Sequence, residues 1–442
     1  MANDKDVPPG PRGKFIVGNV IEFTENPLSF LLMCSRKYGD LVRIAKRTYL
    51  VNHSDLIQQV FHNKDGIFEK NDPIDKSNNH SAFPNSVMSS SGSHWETKRS
   101  KLQPAFHKSL VRGGVEQAAS ITRAFLNTWH HEPRIRDMRQ DMQSLCMEIG
   151  SRFLFDSSAD QGETRRVLDT VDAIMNLTRS QIRFPPFIPT PDNLRLRRAR
   201  LGLDMALDDI VARYRKSSSN DSCLLGVLLA QDESGKSAWL RDELATMIMS
   251  GLEPMADALT WTFYLLALQI DSAQKVFREI DVIMRAQGSI SPDDLPKLQF
   301  TEAAIKEALR LYPPAWMTGR IAARDCVLGG FHVPAGTTLA ISQWVSHRDP
   351  RYFEDPDEYR PARWLDGQFL AALPRYAYFP FGGGLRKCIG AYLTMTQMVV
   401  VVALFVHTFE MKLAPDAKVT PFPALVLRPR GVRLSVTPRR LM

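Results

Sequence analysis

Residues Phe379–Gly390 read FPFGGGLRKCIG, and this stretch decides how the rest of the chain is read. Three consecutive glycines, an arginine and a cysteine precede a run, Gly390 to about Phe409, whose apolar spacing predicts one long helix. Gly382, Gly383 and Gly384 let the backbone turn tightly beneath a flat ligand, because no Cβ stands in the way. Cys388 falls at the predicted helix start, where backbone N–H groups and the neighbouring Arg386 and Lys387 favour a thiolate. A thiolate so presented is a good axial ligand for haem iron, so Cys388 is the candidate metal ligand. Taken alone, the cysteine also reads as a small buried hydrophobe. The glycines form neither a GxGxxG turn nor a Walker phosphate loop.

The 442 residues are 44% hydrophobic and 24% charged, which excludes a disordered, collagenous or coiled-coil chain. A net charge of +8 favours acidic partners or an anionic cofactor over a nucleic acid. Cys34, Cys146, Cys223, Cys326 and Cys388 stand far apart with no CxxC pair, which fits neither a disulfide scaffold nor a zinc site. A reducing compartment follows. The opening MANDKDVPPGPRGKF has no apolar core of the kind a signal peptide needs. The longest apolar stretches, near Trp261–Ile270 and Met398–Phe405, fall short of the roughly 18 residues that span a bilayer. The expectation is a cytoplasmic protein without a transmembrane anchor, in which the triplets at Asn79, Asn176 and Asn220 carry no glycan.

Val7–Arg12 (VPPGPR) is stiff and extended, and Leu41–Ala45 with Thr48–Asn52 predicts a hairpin. Residues 70–93 are long, polar and without periodicity, which marks a functional or mobile loop. Helical periodicity then dominates from Trp95 to about Arg310, broken at Phe184–Asp192 (FPPFIPTPD) and Ser217–Ser222. Beyond Arg310 the chain turns to short strands and prolines. The β-richer parts are about 40–60, 315–345 and 410–438; the helical parts are about 95–310 and 390–409. With no repeat and no linker, the expectation is a single domain over 1–442, mainly α with a minor β portion. The run Arg195–Arg200 (RLRRAR) reads as a solvated helix face rather than a DNA contact.

The stretch around the cysteine resembles the haem-binding signature of the cytochrome P450 family, FxxGxRxCxG, through Phe381, Gly384, Arg386, Cys388 and Gly390. Other segments agree, and the resemblance extends over residues 8–436. Glu307 and Arg310 in KEALRLYPP are spaced as the family's ExxR pair, and Pro361–Trp364 (PARW) supplies Arg363 as the third member of its ionic triad. Read without the resemblance, Glu307 and Arg310 are a surface i,i+3 pair. Trp95 and Arg99 in HWETKRSKL are similar to the family's WxxxR pair. The resemblance implies a triangular prism of helices around haem with small β-sheets. It implies haem b (iron protoporphyrin IX) on a Cys388 thiolate, cradled by Phe381, Gly382 and Gly390, with its propionates held by Trp95, Arg99, Arg320 and Arg386. It also implies a monooxygenase acting on a hydrophobic small molecule (a terpenoid, polyketide or lipid) in specialised metabolism, working as a monomer. Electrons would come from an external ferredoxin or flavodoxin with its NAD(P)H reductase, since no flavin or iron–sulfur domain is fused.

One position departs from the family. Its central helix carries a glycine, an acid and then a threonine that together manage protons for dioxygen activation. Here Met249–Thr260 reads MSGLEPMADALT: Gly251 and Glu253 match, and Pro254 stands where the threonine would. Pro254 has no N–H for the carbonyl of Ser250, so it is both a way to kink the helix and a missing hydroxyl. Gly251, Glu253 and Pro254 are thus the candidate catalytic positions. Two enzymatic readings stand: ordinary monooxygenation, and oxidative coupling, desaturation, rearrangement or peroxide-driven oxidation. A non-catalytic haem sensor or carrier is the third reading. By family position the substrate pocket takes Phe83, Met249, Leu252, Met255, Trp316, Met317 and Leu425, each of which also reads as ordinary core.

Overall fold

The computed structural model describes residues 7–14, 18–70, 83–129, 134–156, 161–178, 188–216, 223–232 and 237–439. Its longest element is a 31-residue helix, Ala238–Leu268, begun by the Ser237 hydroxyl, which accepts from the Leu240 N–H at 3.1 Å. Apolar residues circle most of its second half: Leu259, Trp261 and Phe263 are all fully buried. A helix apolar on all sides belongs in a core, and this one crosses the middle of the molecule. The Met138–Phe155 helix and the Gln299–Leu311 helix pack on it. Pro254 lies inside the central helix, which continues on both sides of it.

The run after Cys388 forms the helix Ala391–Thr408, and Met398–Phe405 within it are all buried. It is the one described helix long and apolar enough to cross a membrane, and most of it lies inside the fold. Phe405 packs edge-on against Trp129 at 5.1 Å between centroids and tilts against Phe263 at 4.9 Å, which joins this helix to the central one.

The β portion is small. A five-stranded sheet has the order Leu41–Ala45, Thr48–Val51, Thr338–Ile341, Thr318–Ala322 and Phe68–Lys70. The predicted hairpin is its edge, and Thr48–Val51 then pairs in parallel with Thr338–Ile341. That pairing brings the N-terminal part against the segment after the Gln299–Leu311 helix, and Arg320 is on the next strand, between Thr338–Ile341 and Phe68–Lys70. The Phe184–Asp192 break lies partly outside the described residues, and Arg197 and Arg198 of the basic run are exposed on the helix Pro191–Lys216.

The pair Glu307 and Arg310 is wholly buried, not a surface pair. The Glu307 carboxylate accepts from Arg310 Nε at 2.9 Å and Nη2 at 2.8 Å, from Arg363 Nε at 3.1 Å, and from the Trp364 indole at 2.8 Å. The Arg360 backbone N–H adds a fifth bond at 3.0 Å. Arg310 spends its remaining N–H groups on the carbonyls of His347, Pro356 and Glu358. A buried ion pair is tolerable only when its polar atoms are satisfied in this way. His347 carries the connection onward: its Nε2 accepts from the Phe379 N–H at 2.9 Å, at the start of the cysteine loop. Burial and the nearby Arg310 and Arg348 push its imidazole pKa well down, so it is neutral there.

Removing the Glu307 carboxylate leaves two buried guanidinium groups without their anion. Glu307→Ala is expected to lower stability in urea unfolding by about 3–5 kcal/mol. Glu302→Ala, which removes a half-exposed partner of Lys306 on the same helix, should cost under about 1 kcal/mol. Equal losses would contradict the locking role.

Candidate haem-thiolate site

The cysteine loop is shaped by close approach to the helix Ser54–His62. A Cβ at Gly384 would sit 2.1 Å from the Phe61 carbonyl oxygen, and one at Gly383 2.4 Å from the Tyr376 ring. Gly382 and Gly384 also have φ of +72° and +65°, where side chains are strained. The loop closes on itself through the Cys388 N–H, which donates to the Phe381 carbonyl at 2.9 Å. Gly390 then caps the Ala391–Thr408 helix.

Cys388 opens onto a cavity of about 470 Å³ although protein surrounds it on most sides. Burial raises its thiol pKa; the Gly390 N–H and then Arg99 and Lys387 pull it back down. The cations that favour its ionisation are thus Arg99 and Lys387, and Arg386, expected from the sequence to do so, is not among them. Arg386 turns the other way, donating to the Ser90 carbonyl at 2.8 Å with its guanidinium 4.6 Å from the centre of the Trp95 ring.

Arg99, Arg320 and Arg386 all line this cavity, although they come from three distant parts of the chain. Arg99 donates to the Lys387 carbonyl at 3.0 Å, and Arg320 donates to the Gly319 carbonyl while its guanidinium lies over Phe61. None of the three forms an ion pair among the described residues. Burial, then repulsion from Arg320 and Arg99, lowers Arg386 to about 10. Three converging cations with no acid beside them call for an anionic ligand. A thiol on the same cavity adds a site for a soft metal. These residues fit an iron porphyrin, whose two carboxylates and metal match the arginines and the sulfur; Phe381, Gly382 and Gly390 line the same space.

On the central helix, Met247, Ser250, Gly251, Pro254, Met255 and Ala258 face the cavity. Glu253 does not. Its Oε1 accepts from Arg139 at 3.0 Å and Arg428 at 2.6 Å, on the flank turned to the Met138–Phe155 helix. Arg139 also donates to Asp257, one turn further along, at 2.8 Å. Asp257 is buried, which raises its carboxyl to about 7 against the pull of Arg139. The sequence reading missed Arg139, Asp257 and Arg428. The i,i+4 spacing of Glu253 and Asp257 in an apolar helix was the available signal; nothing local marks either arginine.

Of the proposed pocket residues, Leu252, Met255 and Met317 are on the cavity wall. Four are not. Phe83 and Met249 belong to the apolar cluster behind the wall, the same cluster that Val87, Phe153 and Leu252 join, but neither reaches the cavity; Met249 is about 100° from Ser250 and about 200° from Met247 around the helix. Trp316 turns into the core, where its indole donates to the Ala424 carbonyl at 2.9 Å, and Leu425 is exposed at a strand tip. Val87 and Met88, Ile149 and Phe153 take their places on the wall. Residues 80–82 of the loop assigned to the pocket lie outside the described residues.

The family model described as "Cytochrome P450" matches residues 8–436. Cyclooctat-9-en-7-ol 5-monooxygenase of Streptomyces melanosporofaciens is 33% identical, over 90% of this chain and 88% of its own length. Pentalenene oxygenase of Streptomyces avermitilis is 30% identical over 96% of both. Cyclooctatin synthase of Streptomyces melanosporofaciens is 28% identical over 97% and 95%. The chain belongs to the cytochrome P450 family, the haem-thiolate oxidoreductases.

Proposed function

We propose that this monooxygenase acts on a terpenoid-like substrate, carrying haem b on Cys388. The observation that supports it is one continuous cavity with a thiol and three arginines at one part and an almost wholly apolar wall at the other. Relatives named for terpenoid oxidation support the substrate class. Arg99, Arg320 and Arg386 hold the cofactor's carboxylates, and the Gly390 N–H steadies the sulfur. Bound there, the haem supplies dioxygen binding and one-electron chemistry at its iron. The wall of Val87, Ile149, Phe153, Met247, Leu252 and Met255 excludes water and orients an apolar substrate.

Proton delivery falls to ordered water or a hydroxyl on the substrate. Glu253 is partly exposed and is held off the cavity face by Arg139 and Arg428. Pro254 leaves the Ser250 carbonyl without its helical donor, and Ser250 lines the cavity, where that oxygen can hold a water or a substrate hydroxyl. Electrons come from a separate ferredoxin or flavodoxin with its NAD(P)H reductase. Exposed Lys387 and Leu385 beside Cys388 suit an acidic partner with a small apolar contact. The missing hydroxyl at Pro254 favours, as a second reading, oxidation without oxygen insertion.

The test supplies haem-loaded protein with a ferredoxin, its reductase and NADPH under isotopically heavy dioxygen, with terpene hydrocarbons and terpene alcohols as substrates. A product carrying one heavy oxygen is expected. A product that has only lost two hydrogens, or that forms only with peroxide, supports the second reading. Pro254→Thr should retain haem and raise product formed per NADPH; an unchanged ratio would make the proline purely a shaping residue. Arg386→Leu should speed haem transfer to apomyoglobin by roughly tenfold, the loss of one charge-assisted bond. Arg386→Lys, which keeps the charge but not the planar fork, should fall between.

A further inference from the structure

Glu243 is buried and charged by type, and nothing in the oxidation chemistry uses it. It lies in the first turns of the central helix, fully inaccessible to solvent. Its Oε2 accepts from the backbone N–H of Val87 at 2.7 Å, and its Oε1 is buried without a partner. Val87 and Met88 are on the cavity wall, and so is Met247, one turn along from Glu243.

The segment around Val87 is fastened at several points. Asp242 accepts from the Asn85 backbone and side chain at 2.8 and 2.9 Å. Ser90 Oγ donates to the Ser86 carbonyl and accepts from Lys98, while the Ser90 carbonyl accepts from Arg386. Residues 85–90 thus run from two carboxylates on the central helix to one of the three cavity arginines. Of these fastenings, Glu243 alone is both fully buried and half-satisfied.

We propose that Glu243 is a positioning residue for the cavity wall: it holds the Val87 backbone, and with it Val87 and Met88, closed over the substrate, and its protonation sets how firmly. The reading rests on the cavity being the substrate site. The charged groups that face this carboxyl are Lys98 from the helix Gly92–Leu102 and Asp242 beside it, and Asp242 in turn is faced by Arg200 and Asp204. Burial raises the Glu243 carboxyl from 4.5 to about 7, with the Val87 N–H and Lys98 opposing and Asp242 adding to it. A carboxyl buried when the wall is closed and solvated when it is open holds its proton more tightly in the closed state. Closure is therefore firmest at low pH, weakens as pH rises from 4.5 to about 7, and changes little above that.

Hydrogen–deuterium exchange of residues 83–90 in the haem-loaded protein reads this without any substrate. After correction for intrinsic exchange, exchange should rise up to about tenfold per pH unit below neutrality and then level off. Glu243→Gln keeps an acceptor for Val87 but cannot ionise, so its exchange should be slow and flat with pH. Glu243→Leu should exchange fast throughout. A wild-type pH rise that persists in Glu243→Gln, or protection unchanged in Glu243→Leu, overturns the proposal. If the leucine variant does not fold, the glutamine profile still decides. The ferrous–carbonyl spectrum of each variant separates this outcome from failure of the haem-thiolate reading, because the latch touches neither Cys388 nor the iron.

Discussion

Three guanidinium groups facing one cavity repel each other, and the fold must hold them there. Arg99 comes from a short helix, Arg320 from the five-stranded sheet and Arg386 from the cysteine loop. Burial makes each less willing to be charged. An anion held among them would offset that cost. The thiol meets the same constraint with opposite sign: burial discourages its ionisation, and Arg99, Lys387 and the Gly390 N–H oppose burial. A cofactor with two carboxylates and a metal satisfies both halves at once.

The scaffold behind the loop explains how this arrangement is kept rigid. Glu307 gathers Arg310, Arg363 and the Trp364 indole; Arg310 reaches the His347 carbonyl; and His347 accepts from the Phe379 N–H. Every step is a buried hydrogen bond, so displacing one leaves a polar atom unsatisfied. On the other side, Gly383 and Gly384 press against Tyr376 and Phe61, where no other residue fits without movement. The loop is clamped between the two. Central-helix chemistry is arranged differently: the cavity face is apolar apart from Ser250, and Glu253 and the buried Asp257 are turned off that face onto Arg139 and Arg428.

What could be read from the sequence was what is local. FPFGGGLRKCIG carries its glycines, cysteine and helix start within twelve residues, and the helix follows almost where expected, at Ala391–Thr408. Spacing showed that Glu307 and Arg310 share a helix face, but it could not show that the face is buried or that Trp364 donates to the carboxylate. Which residues reach the cavity is set by phase: Met247 lines it while Met249, two residues on, stays behind the wall, and Met317 lines it while the adjacent Trp316 turns into the core. Arg139, Arg428 and Val87 acquire their roles only through helix and strand pairings far apart in sequence. The parallel pairing of Thr48–Val51 with Thr338–Ile341 has the same non-local origin.

The central claim is that Cys388, as a thiolate, ligates haem iron. Its most direct test is the absorption spectrum of the reduced, carbon monoxide-bound protein beside that of Cys388→Ser. The account predicts the strongly red-shifted Soret band that a thiolate ligand produces in the wild type, and its absence in the variant. A wild-type band like that of a histidine-ligated haem, or a red-shifted band that survives the substitution, would contradict it.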